Sequence, residues 1–207
     1  LPASVLVQPY GSVLRRRWVQ RHRIAELSGP HPFPGAVVDV NLPDEDGCTG
    51  LHLAIGQRNR QVVALLVRHG ADFTIKDQLG YSAIHWAVLA GESHTLDLVE
   101  RYVDATEEAD HEGFLPIHLA IVHQQRRSLE WLLARGVGVD AQDGDGYTAL
   151  HHCALADLVD MARRLVDAGA RADLLNDRGE TVLAVARRSG SVTMIGALSH
   201  VLCPSNR

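Results

Sequence analysis

Gly80-Tyr81-Ser82-Ala83-Ile84-His85-Trp86-Ala87 decides how this chain folds, because the chain keeps returning to it. Its counterparts are Gly47-Cys48-Thr49-Gly50-Leu51-His52-Leu53-Ala54, Gly113-Phe114-Leu115-Pro116-Ile117-His118-Leu119-Ala120, Gly146-Tyr147-Thr148-Ala149-Leu150-His151-His152-Cys153 and Gly179-Glu180-Thr181-Val182-Leu183-Ala184-Val185-Ala186. The third residues fall at 49, 82, 115, 148 and 181, a constant step of 33. A fixed period of this length marks stacked units, each a single supersecondary structure. Downstream of each segment the apolar pattern recurs and stops at glycine: Val62-Val63 and Leu65-Leu66 before Gly70-Ala71-Asp72, Leu129 and Leu132-Leu133 before Gly136, Leu165-Val166 before Gly169-Ala170. Those runs read as second helices with a glycine terminator.

No unit of this size can bury its own apolar face, so Leu51, Ile84, Ile117, Leu150 and Leu183 are expected to stack into one core shared between neighbours. A turn and two helices per unit, opened by a Thr-Pro-Leu-His-like segment, resembles the ankyrin repeat, over roughly residues 44–204. The resemblance implies an all-α solenoid of stacked helix-turn-helix units with short β-hairpin-like connecting turns. Five units are placed at 44–76, 77–109, 110–142, 143–175 and 176–204, with a tail at 205–207. It also implies that hydroxyl and imidazole of each Thr-x-x-His hydrogen-bond within and between units, which assigns His52, His85, His118 and His151 to structure.

Departures from the pattern mark weak or terminal places. Leu115 replaces the hydroxyl in the third unit, and Val103 replaces the glycine stop of the second, so Val103 to Asp110 should be irregular. Arg164 takes a place where Leu65, Leu98 and Trp131 are expected to be buried. In the fifth unit Ala184 replaces the histidine and Arg187 stands in the place of Ile55, Val88 and Ile121, as in a final unit whose outer side meets water. Residues 1–43 lack the motif and read as an N-terminal helical cap and a Pro-rich connection, although Val38-Asp39-Val40-Asn41 resembles the tail of a preceding unit. A helix is expected from about Ser12 to Leu27, with Trp18 packing on the first unit and Ser28 to Gly35 ending it.

Composition narrows the function. A hydrophobic fraction of 46% supports a folded core, and no apolar run approaches the ~20 residues of a membrane-spanning helix. Residues 1–43 carry five Arg against Glu26 and Asp39, net +3, so with a chain total of −5 residues 44–207 carry −8. An acidic body argues against a nucleic-acid groove, which needs Lys and Arg to displace counterions from phosphates. The start at Leu1 reads as that of a fragment. Three cysteines without paired spacing suit a reducing compartment, cytoplasmic or nuclear.

Ankyrin repeats as a family bind other proteins, and the resemblance places contact on the concave groove of turn tips and inner helices. The residue before the Thr/Ser position, which projects toward that groove in the family, reads Cys48, Tyr81, Phe114, Tyr147 and Glu180. Three of the chain's ten aromatic Phe, Trp and Tyr residues thus share one position. Inner-helix positions beside them read Gly56-Gln57, Leu89-Ala90, Val122-His123, Leu155-Ala156 and Arg188-Ser189, and Trp86 and His152 share a further one with Leu53, Leu119 and Val185. An apolar strip across units two to four, made by Tyr81, Trp86, Leu89, Phe114, Val122, His123, Tyr147, His152 and Leu155, is the expected binding surface. Its rim is acidic, with Asp46, Glu112 and Asp145 at turn tips beside Asp44, Glu45, Glu107, Glu108, Asp110 and Asp143. The expected partner is a protein segment with apolar or aromatic anchors and flanking Lys or Arg, bound by a monomer. The alternative for the same aromatics is that they brace the hairpins by packing on one another.

Other chemistry finds little footing. Twelve histidines include four motif residues, and neither a Cys-x-x-Cys nor a His-Glu-x-x-His spacing occurs, so no metal is expected. No phosphate loop, nucleophile elbow or paired catalytic carboxylate stands out, and neither enzyme activity nor a cofactor is expected. The resemblance leaves a second functional reading, a substrate-recruiting domain of a larger acyltransferase or ubiquitin ligase whose catalytic part lies elsewhere. Arg15-Arg16-Arg17 with Arg21-His22-Arg23 reads as a solvated basic helix face.

Overall fold

An Asp or Asn opens each unit by folding the backbone around its own side chain. Asp44 Oδ1 accepts the N–H groups of Asp46 (3.0 Å) and Cys48 (2.9 Å). Asp77, Asp110, Asp143 and Asn176 repeat the bonds to the residues two and four further on. Each turn closes with a backbone bond from the glycine N–H to the carbonyl of that Asp or Asn, as from Gly80 to Asp77 at 2.9 Å. The glycine lies in the left-handed region, φ +72° to +84° across the five, where a side chain would be strained. The sequence reading counted Asp44, Asp110 and Asp143 among rim charges, and the computed structural model corrects this: they are turn builders. It describes residues 39–91, 93–99 and 107–202, within the second of the chain's two compact units, Leu1–Val38 and Asp39–Arg207. The expected N-terminal helix, the packing of Trp18, the connection at 103–106 and the 205–207 tail lie outside the described residues. Residues 107–110 carry no α-helix.

Ten helices follow among the described residues: α1 (Gly50–Gly56), α2 (Arg60–Arg68), α3 (Ala83–Ala90), α4 (Ser93–Val99), α5 (Pro116–Val122), α6 (Arg126–Ala134), α7 (Ala149–Ala156), α8 (Val159–Asp167), α9 (Val182–Ser189) and α10 (Val192–Leu202). They alternate as inner and outer members of successive pairs, and α1, α3, α5, α7 and α9 stack in that order. Two isolated antiparallel bridges, Lys76 to Ser82 and Gln142 to Thr148, are the hairpin character of the connecting turns. Inner and outer helices join through a residue at positive φ every 33 residues: Arg58, Gly91, Gln124, Asp157 and Gly190.

The Thr-x-x-His expectation holds within units and, for His52 and His151, between units, whereas the buried Nε2 of His85 has no hydrogen-bond partner. Thr49 N–H donates to His52 Nδ1 at 3.0 Å, and Thr49 Oγ1 lies 2.9 Å from the same nitrogen. A backbone N–H can only donate, so Nδ1 is the acceptor and the ring proton sits on Nε2, which donates to Tyr81 O in the next unit at 3.1 Å. Ser82 with His85 and Thr148 with His151 repeat the local half, and His151 Nε2 reaches Glu180 O at 3.2 Å. In the third unit Leu115 contributes only its backbone N–H, 3.1 Å from His118 Nδ1, and Nε2 donates to Ala141 O instead.

Leu51, Ile84, Ile117 and Leu150 are fully buried, as the shared spine requires, while Leu183 is half-buried at the end of the stack. Ile55, Val88 and Ile121 are also enclosed, and Arg187 in their register is exposed. One burial expectation is corrected: Leu65 is 38% exposed, Leu98 is half-buried, and only Trp131 of the three is buried. Arg164 therefore causes no defect there, because its register lies at an outer-helix margin where Nη1 reaches Glu130 at 2.8 Å. Asn41 accepts from Asp72 N–H as Asp140 does from Arg171 N–H, both at 2.8 Å, so the segment before Asp44 ends like a unit.

Candidate functional site

The turns place one aromatic beside each motif histidine. Tyr81 stacks on His85 at 5.8 Å between centroids, Phe114 meets His118 edge-on at 6.1 Å, and Tyr147 meets His151 at 5.7 Å. His152 joins two units, 5.4 Å from Phe114 and 5.5 Å from Tyr147. Bracing is thus part of what these rings do, through histidines. Tyr81 and Phe114 stay half-buried, whereas Tyr147 is only 7% exposed, and its hydroxyl accepts from Arg188 Nη2 at 3.3 Å. At the corresponding place in the first unit, burial and the carboxylates of Asp77, Asp44 and Asp46 push the Cys48 thiol up to about 12. A thiol held protonated is a poor nucleophile.

Trp86 and His152, expected on an open face, are covered, which is a correction to the sequence reading. Trp86 is 9% exposed, and its indole N–H donates to Asp77 Oδ2 at 3.0 Å. Its ring edge fits against Gly56, where a Cβ would stand 2.8 Å away. His152 Nε2 sits 2.6 Å from Asp143 Oδ2. Burial alone would raise the Asp143 carboxyl, but the hydrogen bond and charge of His152 outweigh it and hold the group below its ordinary value. Both donors lie nine residues after the turn-building Asp, so in units two and four the inner helix ties down its own turn. Leu53, Leu119 and Val185 fill the same buried place with apolar contact. The paired signal, a donor nine residues after an Asp, was present in the sequence but not read from it.

What remains half-exposed is a narrower strip: Leu89 and Ala90 on α3, Val122 with His123 after α5, and Leu155 on α7, beside Tyr81 and Phe114. Burial lowers the His123 ring below its usual value, toward the neutral form. Gln57 in the first unit, in the register of Ala90 and His123, and Arg188 in the fifth, in the register of Leu89, Val122 and Leu155, are exposed and polar. Asp46, Glu112 and Asp145 are exposed at the turn tips, as expected. Adjacent tips are tied by backbone bonds, Gln78 N to Asp46 O at 3.1 Å, His111 N to Leu79 O at 3.4 Å and Asp177 N to Asp145 O at 3.1 Å, so the acids form a row.

Among the described residues no group of three or more His, Cys, Asp or Glu side chains is placed to hold a metal ion, and no helix is long and apolar enough to cross a membrane. A comparison with curated proteins finds no match. The family described as Ankyrin repeats (3 copies) matches residues 24–109 and 117–203, beginning inside the stretch that the sequence reading set apart as a cap. With those matches over most of its length and its helix pairs stacked in a 33-residue register, the chain belongs to the ankyrin-repeat family.

Proposed function

We propose that this chain is a non-catalytic recognition module that holds a segment of a partner protein on the turn-tip and inner-helix face of units two to four. Ankyrin repeats generally mediate protein–protein interaction. The observation that carries the finer reading is the contrast along one register: Leu89, Val122 and Leu155 are apolar and half-exposed in the central units, whereas the exposed Gly56 and Arg188 at the two ends offer no apolar side chain. Apolar side chains held half-exposed on rigid helices, inside a charged rim, suit a partner with apolar anchors and flanking Lys or Arg. Within a longer chain the same face would recruit substrate to catalytic residues elsewhere. The unpaired thiols of Cys48 and Cys153 support an intracellular location, where thiols stay reduced.

The test is a selection of displayed peptides on the purified chain, followed by affinity measurement on a Leu89→Asp, Val122→Asp variant. Trp86 and Tyr147 are poor choices, because their burial makes any loss ambiguous. The double variant should bind the selected peptides about tenfold or more weakly, with a Tm close to wild type, as loss of central apolar anchors predicts. Unchanged affinity would remove the face from consideration.

A further inference from the structure

The third turn, residues 110–114, is held by fewer and longer bonds than its counterparts. Two turns are latched by the motif histidine of the preceding unit: His52 Nε2 donates to Tyr81 O and His151 Nε2 to Glu180 O, in each case 29 residues on. His118 donates instead to Ala141 O, 23 residues on. His85 makes neither bond, although the residue is fully buried and its Nδ1 is engaged by Ser82. The carbonyls of Phe114 and Glu108, at the same two separations, lie near enough to favour the charged ring, but burial outweighs them and neither is placed to accept the N–H. A buried N–H without an acceptor costs stability, so a shift of the turn toward His85 would be favourable.

Three further features meet at the same turn. Gly113 N–H closes it on Asp110 O at 3.2 Å, against 2.8–3.0 Å in the other four. The tip bond toward unit two, His111 N to Leu79 O, is 3.4 Å where the others are 3.1 Å, and among the described residues Gly144 N makes no counterpart to Glu112 O on the far side. Trp86 and His152 tie the second and fourth turns to their own inner helices, whereas Leu119 has no donor to offer the third. Lys76 Nζ does reach Ala109 O at 2.8 Å, but at the foot of the turn rather than its tip. The helices beneath are firmly held, with Ser128 Oγ on Val88 O at 2.7 Å and Ile117, Leu119 and Ile121 buried. Loosening is confined to the turn layer.

We propose that the third turn is the moving part of this surface, a lid that opens locally over fixed helices because its latch, His85 Nε2 to Phe114 O, stands open. Phe114 moves with it, so the aromatic row has one adaptable member between Tyr81 and the enclosed Tyr147. Such an opening breaks only the few bonds of one segment, not those of the whole stack. Nothing in this depends on what the surface binds.

Amide hydrogen exchange of the ¹⁵N-labelled full chain reads the opening, because equivalent amides make equal bonds: Tyr81, Phe114, Tyr147 and Glu180 N–H each donate to the turn-building side chain at 2.8–2.9 Å. After correction for intrinsic rates, Phe114 should be about tenfold or more less protected than Tyr81 and Tyr147. It should also fall below Glu180, whose turn lacks an inner-helix tie but keeps its histidine latch. Two variants separate the latch from ordinary packing. His52→Asn and His85→Asn each put an amide oxygen near the place of the accepting Nδ1, remove Nε2 and leave similar cavities. His52→Asn should lower Tyr81 protection about fivefold or more, as loss of an existing buried bond does, whereas His85→Asn should leave Phe114 within about twofold. Protection of Phe114 equal to that of Tyr147 and Glu180 in the wild type would overturn the lid. So would a loss in His85→Asn as large as in His52→Asn, since it would mean that the latch is closed in solution. If a variant does not fold, the wild-type comparison decides alone.

Discussion

At the scale of single residues, the motif histidines are neutral struts whose protonation opposes folding. Burial, the largest cause, lowers His85 to about 4 and His118 to about 4, and His52 and His151 move the same way. The unfolded chain then binds more protons than the native one between the ordinary histidine value of 6.5 and about 4, so stability rises with pH across that window and is lost as pH falls through it. Each of His85 and His118 contributes at most roughly 3 kcal/mol to this loss. Tm measured from pH 7.5 down to pH 4.5 (about the two sides of the window) should therefore drop steeply before the carboxylates titrate. Asp143, whose carboxyl lies below its ordinary value, adds its own loss only at still lower pH. A flat Tm across the histidine window would contradict the buried, neutral assignment. The structural role of these residues was legible because the Thr-x-x-His pattern repeats; the Asp77–Trp86 and Asp143–His152 ties were not, because a spacing of nine connects a loop to a helix face only after both exist.

At the scale of elements, the helix pairs are tied to their neighbours by few but enclosed polar bonds. Ser128 on α6 is fully buried and donates through Oγ to Val88 O near the end of α3 at 2.7 Å, across 40 residues. Ser191 makes a similar bond to Ala154 O at 3.0 Å, joining the start of α10 to α7. Ser128→Ala removes a donor and leaves a buried carbonyl less well bonded, so it should cost about 1–2 kcal/mol. Urea unfolding checks this, and no change in midpoint would show that the bond adds nothing. The ten helices were readable from apolar period and glycine stops; the exposure of Leu65 was not, since an outer helix meets its partners along a strip whose edges periodicity does not place.

For the whole molecule, each unit is stabilised by the next. Ending the chain after residue 175 would uncover Leu150, Cys153 and Ala154, now fully buried, and would remove Glu180 O from His151 Nε2. The polar end supplied by exposed Arg187 and Arg188 would go with it. The shortened chain should lose at least about 2 kcal/mol and expose apolar surface to a dye such as ANS, as loss of a terminal unit does in a nearest-neighbour stack. An unaltered unfolding midpoint would mean that the last unit is only appended.

The period, the helix-turn-helix unit, the shared spine and the acidic turn tips were all determined by sequence alone, because each follows from residues close in the chain and repeated in one register. Which groove residues stay open was decided only by tertiary structure. Trp86, Tyr147 and His152 look like anchors in the sequence, yet Asp77, Gly56, Asp143 and Arg188 engage them once the units stack. Burial and hydrogen-bond satisfaction belong to pairs of units, so neither can be read from one unit's residues.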